Sequence, residues 1–147
     1  MNIQIKLEPT FSIKWPNLRY TINNKIIFNG ECKPNHEKYH VIDTDITDFL
    51  QKQNQIIIEH YDKSGRETLV DSNRDIISDR ALILRSIRLD DSQVPEVILH
   101  DKPFKINWTD EQLKETKDRP EHIKDNLYFG YNGVYSFTFS NDGTREH

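Results

Sequence analysis

Between residues 67 and 91 the chain reads as two short strands, a polar turn and one long strand, and this stretch constrains the fold more than any other. Apolar residues run together at Ile76-Ile77 and at Ala81-Leu82-Ile83-Leu84, each run set among Asp, Ser and Asn. Short apolar runs bounded by turn formers mark strands buried in a sandwich. No reactive group stands out there, so the stretch reads as scaffold.

The rest of the chain follows the same grammar. Ile3, Ile5 and Leu7 alternate with Asn2, Gln4 and Lys6, the period of two that turns one face of a strand to a core and the other to water. The alternation resumes at Phe11, Ile13 and Trp15, and again beyond Trp15-Pro16-Asn17 at Leu18, Tyr20 and Ile22. Asn23-Asn24 predicts a tight turn into residues 25–28, and Asn29-Gly30 a second turn, because Asn and Gly accept the positive φ of hairpins. The N-terminal part therefore reads as a meander of short antiparallel strands. Residues 33–38 read as loop, 39–42 as a strand, and 44–51 as an N-cap candidate with one or two helical turns.

Ile56, Ile57 and Ile58 predict a strand covered on both faces. Residues 62–65 read as a turn and 94–99 as a further strand. From Phe104 to Asn126 the periodicity fails, apart from a cap followed by acids at 109–116, as an N-terminal helical turn has. Residues 127–129, Gly130-Tyr-Asn-Gly133 and 134–139 read as a hairpin, with Tyr135, Phe137 and Phe139 on the core face. Many short strands with scant helix predict an all-β fold, an antiparallel β-sandwich or jelly roll with one or two short helical turns.

Composition narrows what such a fold does. At 147 residues and 35% hydrophobic the chain suits a single domain, 1–147, since one core serves roughly 100–200 residues. The formal charge is −4, with Lys and Arg scattered among acids, whereas a nucleic-acid surface needs a local excess of positive charge. Nucleic acid is not an expected partner. Residues 2–8 lack the apolar core of a signal peptide, and no segment approaches the roughly 20 apolar residues of a membrane helix. Synthesis in a cytoplasm and no membrane partner are the expectations. Cys32 is the one cysteine, which excludes an intrachain disulfide and a Cys-rich zinc site and predicts a buried or half-buried free thiol.

Candidate chemistry is sparse. The histidines His36, His40, His60, His100, His122 and His147 stand at no metal-defining spacing, and His36 and His40 share a face only if that stretch is helical, where it reads as loop and strand. There is no Gly-x-Ser-x-Gly elbow and no Gly-rich phosphate loop. Glu59 and Asp62 serve a glycosidase only if placed about 5–10 Å apart in a cleft. Asp71, Asp75 and Asp79 offer hard oxygens for calcium, but their spacing matches no EF-hand. Arg74 and Arg80 can neutralise them, and Asp, Asn and Ser are what a hairpin turn uses. Trp15, Trp108 and Tyr131 are candidates for a sugar-stacking platform, set against core packing of the tryptophans. No catalytic, cofactor or metal residue is assigned, and no enzyme activity or cofactor is expected.

Two blocks carry a resemblance. Residues 68–90, read with Arg119-Pro-Glu-His-Ile123 and with Leu127-Tyr-Phe-Gly-Tyr-Asn-Gly-Val-Tyr-Ser-Phe-Thr-Phe139, are similar to small β-sandwich proteins of tailed bacteriophages. Those show a Thr-Val-Val-Asp-x-Asn-Gly-x-Ile-Ile-x-Asp-like segment and a Tyr-x-Gly-x-Asn-Gly-x-aromatic hairpin. The chain departs from that pattern at Arg74, where the family has Gly. The resemblance implies a non-enzymatic structural protein of the virion, in capsid decoration or in tail, baseplate or fibre. Its implied partners are other virion proteins and copies of itself, and its implied location is the virion. A weaker likeness, through residues 79–91, is to calcium-dependent xylan-binding modules, which implies as the alternative a glycan-attaching sandwich. The irregular region 103–126 is the expected partner-contacting loop.

Overall fold

The alternation at the N-terminus does what its period dictates: Ile3, Ile5 and Leu7 are completely buried while Asn2, Gln4, Lys6 and Glu8 face outward. The computed structural model describes residues 1–63, 69–70, 72–73, 76–108, 122–123 and 127–141. Its strands are β1 (Asn2–Thr10), β2 (Asn17–Ile22), β3 (Lys25–Glu31), β4 (His40–Asp45), β5 (Gln53–Tyr61), β6 (Leu69–Val70) and β7 (Ile76–Ser78). They continue with β8 (Ala81–Leu89), β9 (Ser92–Gln93), β10 (Phe104–Ile106), β11 (His122–Ile123), β12 (Tyr128–Phe129) and β13 (Gly133–Ser140). A 3-10 turn (Thr47–Phe49) and one short helix, α1 (Glu96–His100), complete the described elements.

Two antiparallel sheets pack face to face. The first runs β12-β8-β1-β4, with β9 on β8, and the second runs β11-β10-β13-β5-β2-β3, while β6 and β7 form a separate hairpin. Between the sheets Ile3, Ile5, Leu7, Leu82, Leu84 and Ile87 meet Leu18, Tyr20, Ile22, Ile56, Ile58, Tyr135, Phe137 and Phe139 in one apolar cluster. The expected core face of residues 134–139 is thus the observed one, and the architecture is the all-β sandwich. No described helix is long and apolar enough to cross a membrane.

Several local expectations are corrected. The N-terminal strands are not a meander, because β1 pairs with β4 and β8 in one sheet while β2 and β3 join the other. Phe11 and Ile13 do not continue a strand. Ile13 takes φ 68° and both side chains point into solvent. Asn23-Asn24 is the tight turn, with φ 51° and 66°, but Asn29-Gly30 lies inside β3, paired with Arg19 and Leu18. The helical turn expected over 44–51 is confined to Thr47–Phe49, since Thr44 still pairs with Ile3. Residues 94–99 are not a strand. Pro95 cannot donate to a ladder but suits a helix start, and α1 follows it at once. Ile57 is only half-buried, so β5 is covered on one face.

The largest correction concerns the C-terminal hairpin. β12 pairs with β8 in the first sheet, whereas β13 lies between β10 and β5 in the second. Gly130-Tyr-Asn therefore carries the chain across the end of the sandwich. Gly133 is needed where β13 begins, because a Cβ there would run into the Lys105 carbonyl and the Phe104 ring. The stretch expected to be irregular contains β10 and β11, and the helical turn expected at 109–116 falls outside the described residues.

Two of the sheet edges are closed to further pairing. The Asn35 side chain accepts from Val41 N–H (2.8 Å) and donates to the Val41 carbonyl (3.0 Å), taking the place of a neighbouring strand on β4. β3, at the far edge of the second sheet, is interrupted by a bulge opposite Tyr20 and Thr21. Plugs and bulges of this kind block edge-to-edge association.

The packing has a direct test in urea denaturation. Phe137→Ala empties a fully buried site and is expected to cost about 3–5 kcal/mol. Ile26→Ala, at an exposed position on β3, is expected to stay within about 0.5 kcal/mol of the parent.

Candidate functional site

One end of the sandwich is built on buried charge. Lys63, just past β5, points its ammonium at Asp79 Oδ1 (2.6 Å) and at the Gly130 carbonyl, and the two charged side chains are 8% and 10% exposed. Asp79 also accepts from the Arg80 N–H (3.0 Å) at Oδ1 and from the Tyr128 hydroxyl (2.8 Å) at Oδ2. Burial, followed by the hydrogen bond to this carboxylate, pushes the Tyr128 hydroxyl well above its ordinary value, so it remains a donor. Arg80 is buried, and it donates from Nε to the Trp15 carbonyl (2.7 Å) and from a terminal nitrogen to the Asp62 carbonyl (3.0 Å). Asn132 clasps the Lys63 backbone from both sides, at 2.7 and 2.9 Å. A buried ion pair is tolerable only when its donors and acceptors find partners, and these contacts account for both carboxylate oxygens and two of the three ammonium protons.

The same residues fasten the loop between β1 and β2. At its entry Thr10 Oγ1 donates to the Asp79 carbonyl (2.6 Å) and accepts from Ala81 N–H (3.0 Å). At its exit Arg80 holds the Trp15 carbonyl. Between these clamps Phe11 and Ile13 are 53% and 56% exposed, and the Phe11 ring meets Trp15 edge-on at 5.2 Å. Tyr128 and Tyr131 are also exposed, and Trp108 lies 5.3 Å from the Tyr131 ring, tilted against it. The Asn107 N–H donates to the Asn132 carbonyl (2.7 Å), which ties the Trp108 segment to the crossover. The end thus presents apolar and aromatic side chains on fixed loops, which suits binding, and no activated nucleophile stands among its described residues.

His60 sits beneath this network, fully buried. Its Nδ1 donates to the Phe129 carbonyl (3.0 Å), a carbonyl being able only to accept, and Nε2 has no partner. Burial, with the Lys63 charge behind it, lowers the imidazole pKa to about 4, so the ring is neutral.

The sequence candidates are dispersed. His40 turns inward, its Nδ1 2.6 Å from the Lys33 carbonyl and its ring against Phe28, while His36 stays exposed, so the two share no site. Glu59 faces out from the second sheet and pairs with Arg19 (2.8 Å), and Asp62 is exposed at φ 63°. Asp71, Asp75 and Arg74 lie outside the described residues. Asp79 is neutralised by Lys63, while the Arg80 guanidinium donates to the Trp15 and Asp62 carbonyls. Trp108 and Tyr131 do come together, but Trp15 pairs with Phe11 instead. Cys32 is buried, which pushes its thiol up to about 12.

Lys63, Tyr128 and Asn132 were not candidates in the sequence, and His60 was weighed only for a metal site. Their partners lie 16 to 69 residues away, and no local pattern encodes such distances. Compared with known protein families, with characterised proteins and with solved structures, the chain matches none.

Two measurements probe the site. Asp79→Ala strands the Lys63 ammonium in a buried position and is expected to cost about 3–5 kcal/mol in denaturant unfolding. For His60 the unfolded ring takes up its proton near 6.5 and the folded ring only near 4. The stability contributed is therefore complete above about pH 6.5 and is lost as pH falls to about 4, by about 3 kcal/mol. His60→Gln is expected to remove that part of the pH dependence, and an unchanged profile would contradict the assignment.

Proposed function

We propose that this chain is a non-enzymatic structural protein of a bacteriophage particle, in capsid decoration or in tail, baseplate or fibre, that works by binding other virion proteins and copies of itself. The two sequence blocks similar to phage sandwich proteins supply the viral part of this reading. The observation that carries the binding part is the loop with Phe11 and Ile13 at its apex. It is clamped at both ends by residues 79–81, yet exposes its two large apolar side chains. Apolar groups held rigid in water lose little entropy when a partner covers them, and such anchors dominate protein interfaces. The closed edges of β3 and β4 disfavour strand addition there and leave the loops at this end as the proposed means of attachment.

A second reading, a glycan-binding module, is supported by the Trp108–Tyr131 pair, in which Tyr131 is exposed and tilts against a Trp108 ring that is half-buried on the core, so that the exposed ring can stack against a sugar face. A glycan array run with calcium and with chelator tests it, and binding that survives Trp108→Ala would remove that support.

The assembly reading is tested on purified particles by mass spectrometry. The parent protein is expected in the virion at stoichiometric amounts. Phe11→Ser with Ile13→Ser is expected to fold normally, because both side chains are already exposed, and to disappear from particles. A parent protein abundant in infected cells but absent from virions would sink the reading.

A further inference from the structure

At the opposite end of the sandwich, around the Asn23-Asn24 turn and the start of β5, lies a hollow of about 420 Å³. Its described lining is Asn23, Asn24, Gln51, Gln53, Asn54, Gln55 and Thr138. Every one of these side chains is a neutral amide or hydroxyl. We propose that this hollow is a binding site for a neutral saccharide unit, distinct from the aromatic end and independent of either reading given above.

The floor is rigid. Asn54, 1% exposed, accepts at Oδ1 from Gln51 N–H (2.9 Å) and from Asn23 Nδ2 (2.8 Å), and its own Nδ2 donates to the Gln51 carbonyl (2.9 Å). Asn23 also donates to the Phe49 carbonyl (3.1 Å) and accepts from Gln55 N–H (2.9 Å), while its own N–H donates to the Gln55 carbonyl (2.9 Å). These bonds lock the turn, the 3-10 segment and β5 together. Above this floor the Asn24, Gln51, Gln53 and Gln55 side chains are exposed and make no hydrogen bond to a described residue. Gln55 pairs across the ladder with Thr138, which sets an amide beside a hydroxyl.

The chemistry selects the ligand. An amide both donates and accepts, as a sugar hydroxyl does, so paired hydroxyls find matched partners in either sense. A charged ligand meets no described countercharge in the lining, and an apolar one would leave the amides unpaired at a cost. The volume falls in the lower part of the roughly 300–1,000 Å³ range of ligand pockets. Because three glutamines must be ordered on binding, affinity per site is weak.

Two-dimensional NMR of the whole chain, following side-chain amide signals, tests the site. The probes are methyl glucoside, methyl galactoside, methyl N-acetylglucosaminide and maltotriose. At least one is expected to shift the Asn24, Gln51, Gln53 and Gln55 signals saturably. Gln51→Ala with Gln55→Ala, which truncates two exposed side chains and leaves the backbone hydrogen bonds of the floor in place, is expected to weaken that binding about tenfold or more with the backbone spectrum otherwise unchanged. The proposal is overturned if no probe shifts these amides, if the double variant binds as the parent does, or if shifts appear only around Trp108 and Tyr131. It is also overturned if N-acetylalanine methylamide, a peptide-backbone mimic, shifts the hollow as strongly as every sugar.

Discussion

The contact on which the loop end depends is that between the Lys63 ammonium and the Asp79 carboxylate, closed at 2.6 Å and almost out of water. Desolvating both charges is expensive, and their attraction repays it only with complete hydrogen bonding around them. That requirement reaches across the molecule. Lys63 leaves the second sheet, Asp79 leads into β8 of the first, Tyr128 lies on β12, and Gly130 and Asn132 belong to the crossover that joins β12 to the second sheet. Three separate chain segments must be in place before either charge is satisfied. The pair therefore acts less as a source of stability than as a condition on which loops lie together.

The two ends of the sandwich are chemically opposite, and the difference follows from what lies beneath each surface. At one end buried charges hold a loop whose apolar side chains remain uncovered. At the other, neutral amides satisfy one another in the floor and leave further amides in the lining. An apolar surface is stabilised by excluding water, whereas an amide surface must trade one hydrogen-bond partner for another at little net gain. The first favours tight, shape-specific protein contact and the second weak, reversible contact with polar ligands. A single small domain can carry both without interference, because β5 separates them by its whole length.

The fold class was legible because strand period and turn chemistry are local. Ile3, Ile5 and Leu7, the Asn23-Asn24 turn, and Tyr135, Phe137 and Phe139 all behave as their patterns require. Partner choice was not legible, because the alternation that makes a strand does not say which sheet it joins. Residues 127–139 have a hairpin's pattern, yet β12 and β13 part at Gly130 because β8 and β5 compete for them. Phe11 and Ile13 misled in the same way, since two apolar residues at period two read as core wherever they stand. The candidate site was hidden for a further reason: an Asp in a turn and a Lys after a strand look like solvated surface until the chain brings them together.

Ile13 is where local and global demands conflict most openly. A β-branched residue at positive φ is strained, by about 1–3 kcal/mol, and Gly or Asn would relieve it. Its side chain is also 56% exposed, so burial returns little of that energy to the isolated domain. Thr10 and Arg80, bonded to residues that the buried ion pair already fixes, hold the loop in this conformation regardless. A backbone strain that the surrounding structure enforces, aimed at presenting an apolar side chain to solvent, weakens the free molecule. It makes physical sense if the missing contacts are supplied from outside, as the proposed assembly contact at Phe11 and Ile13 would supply them.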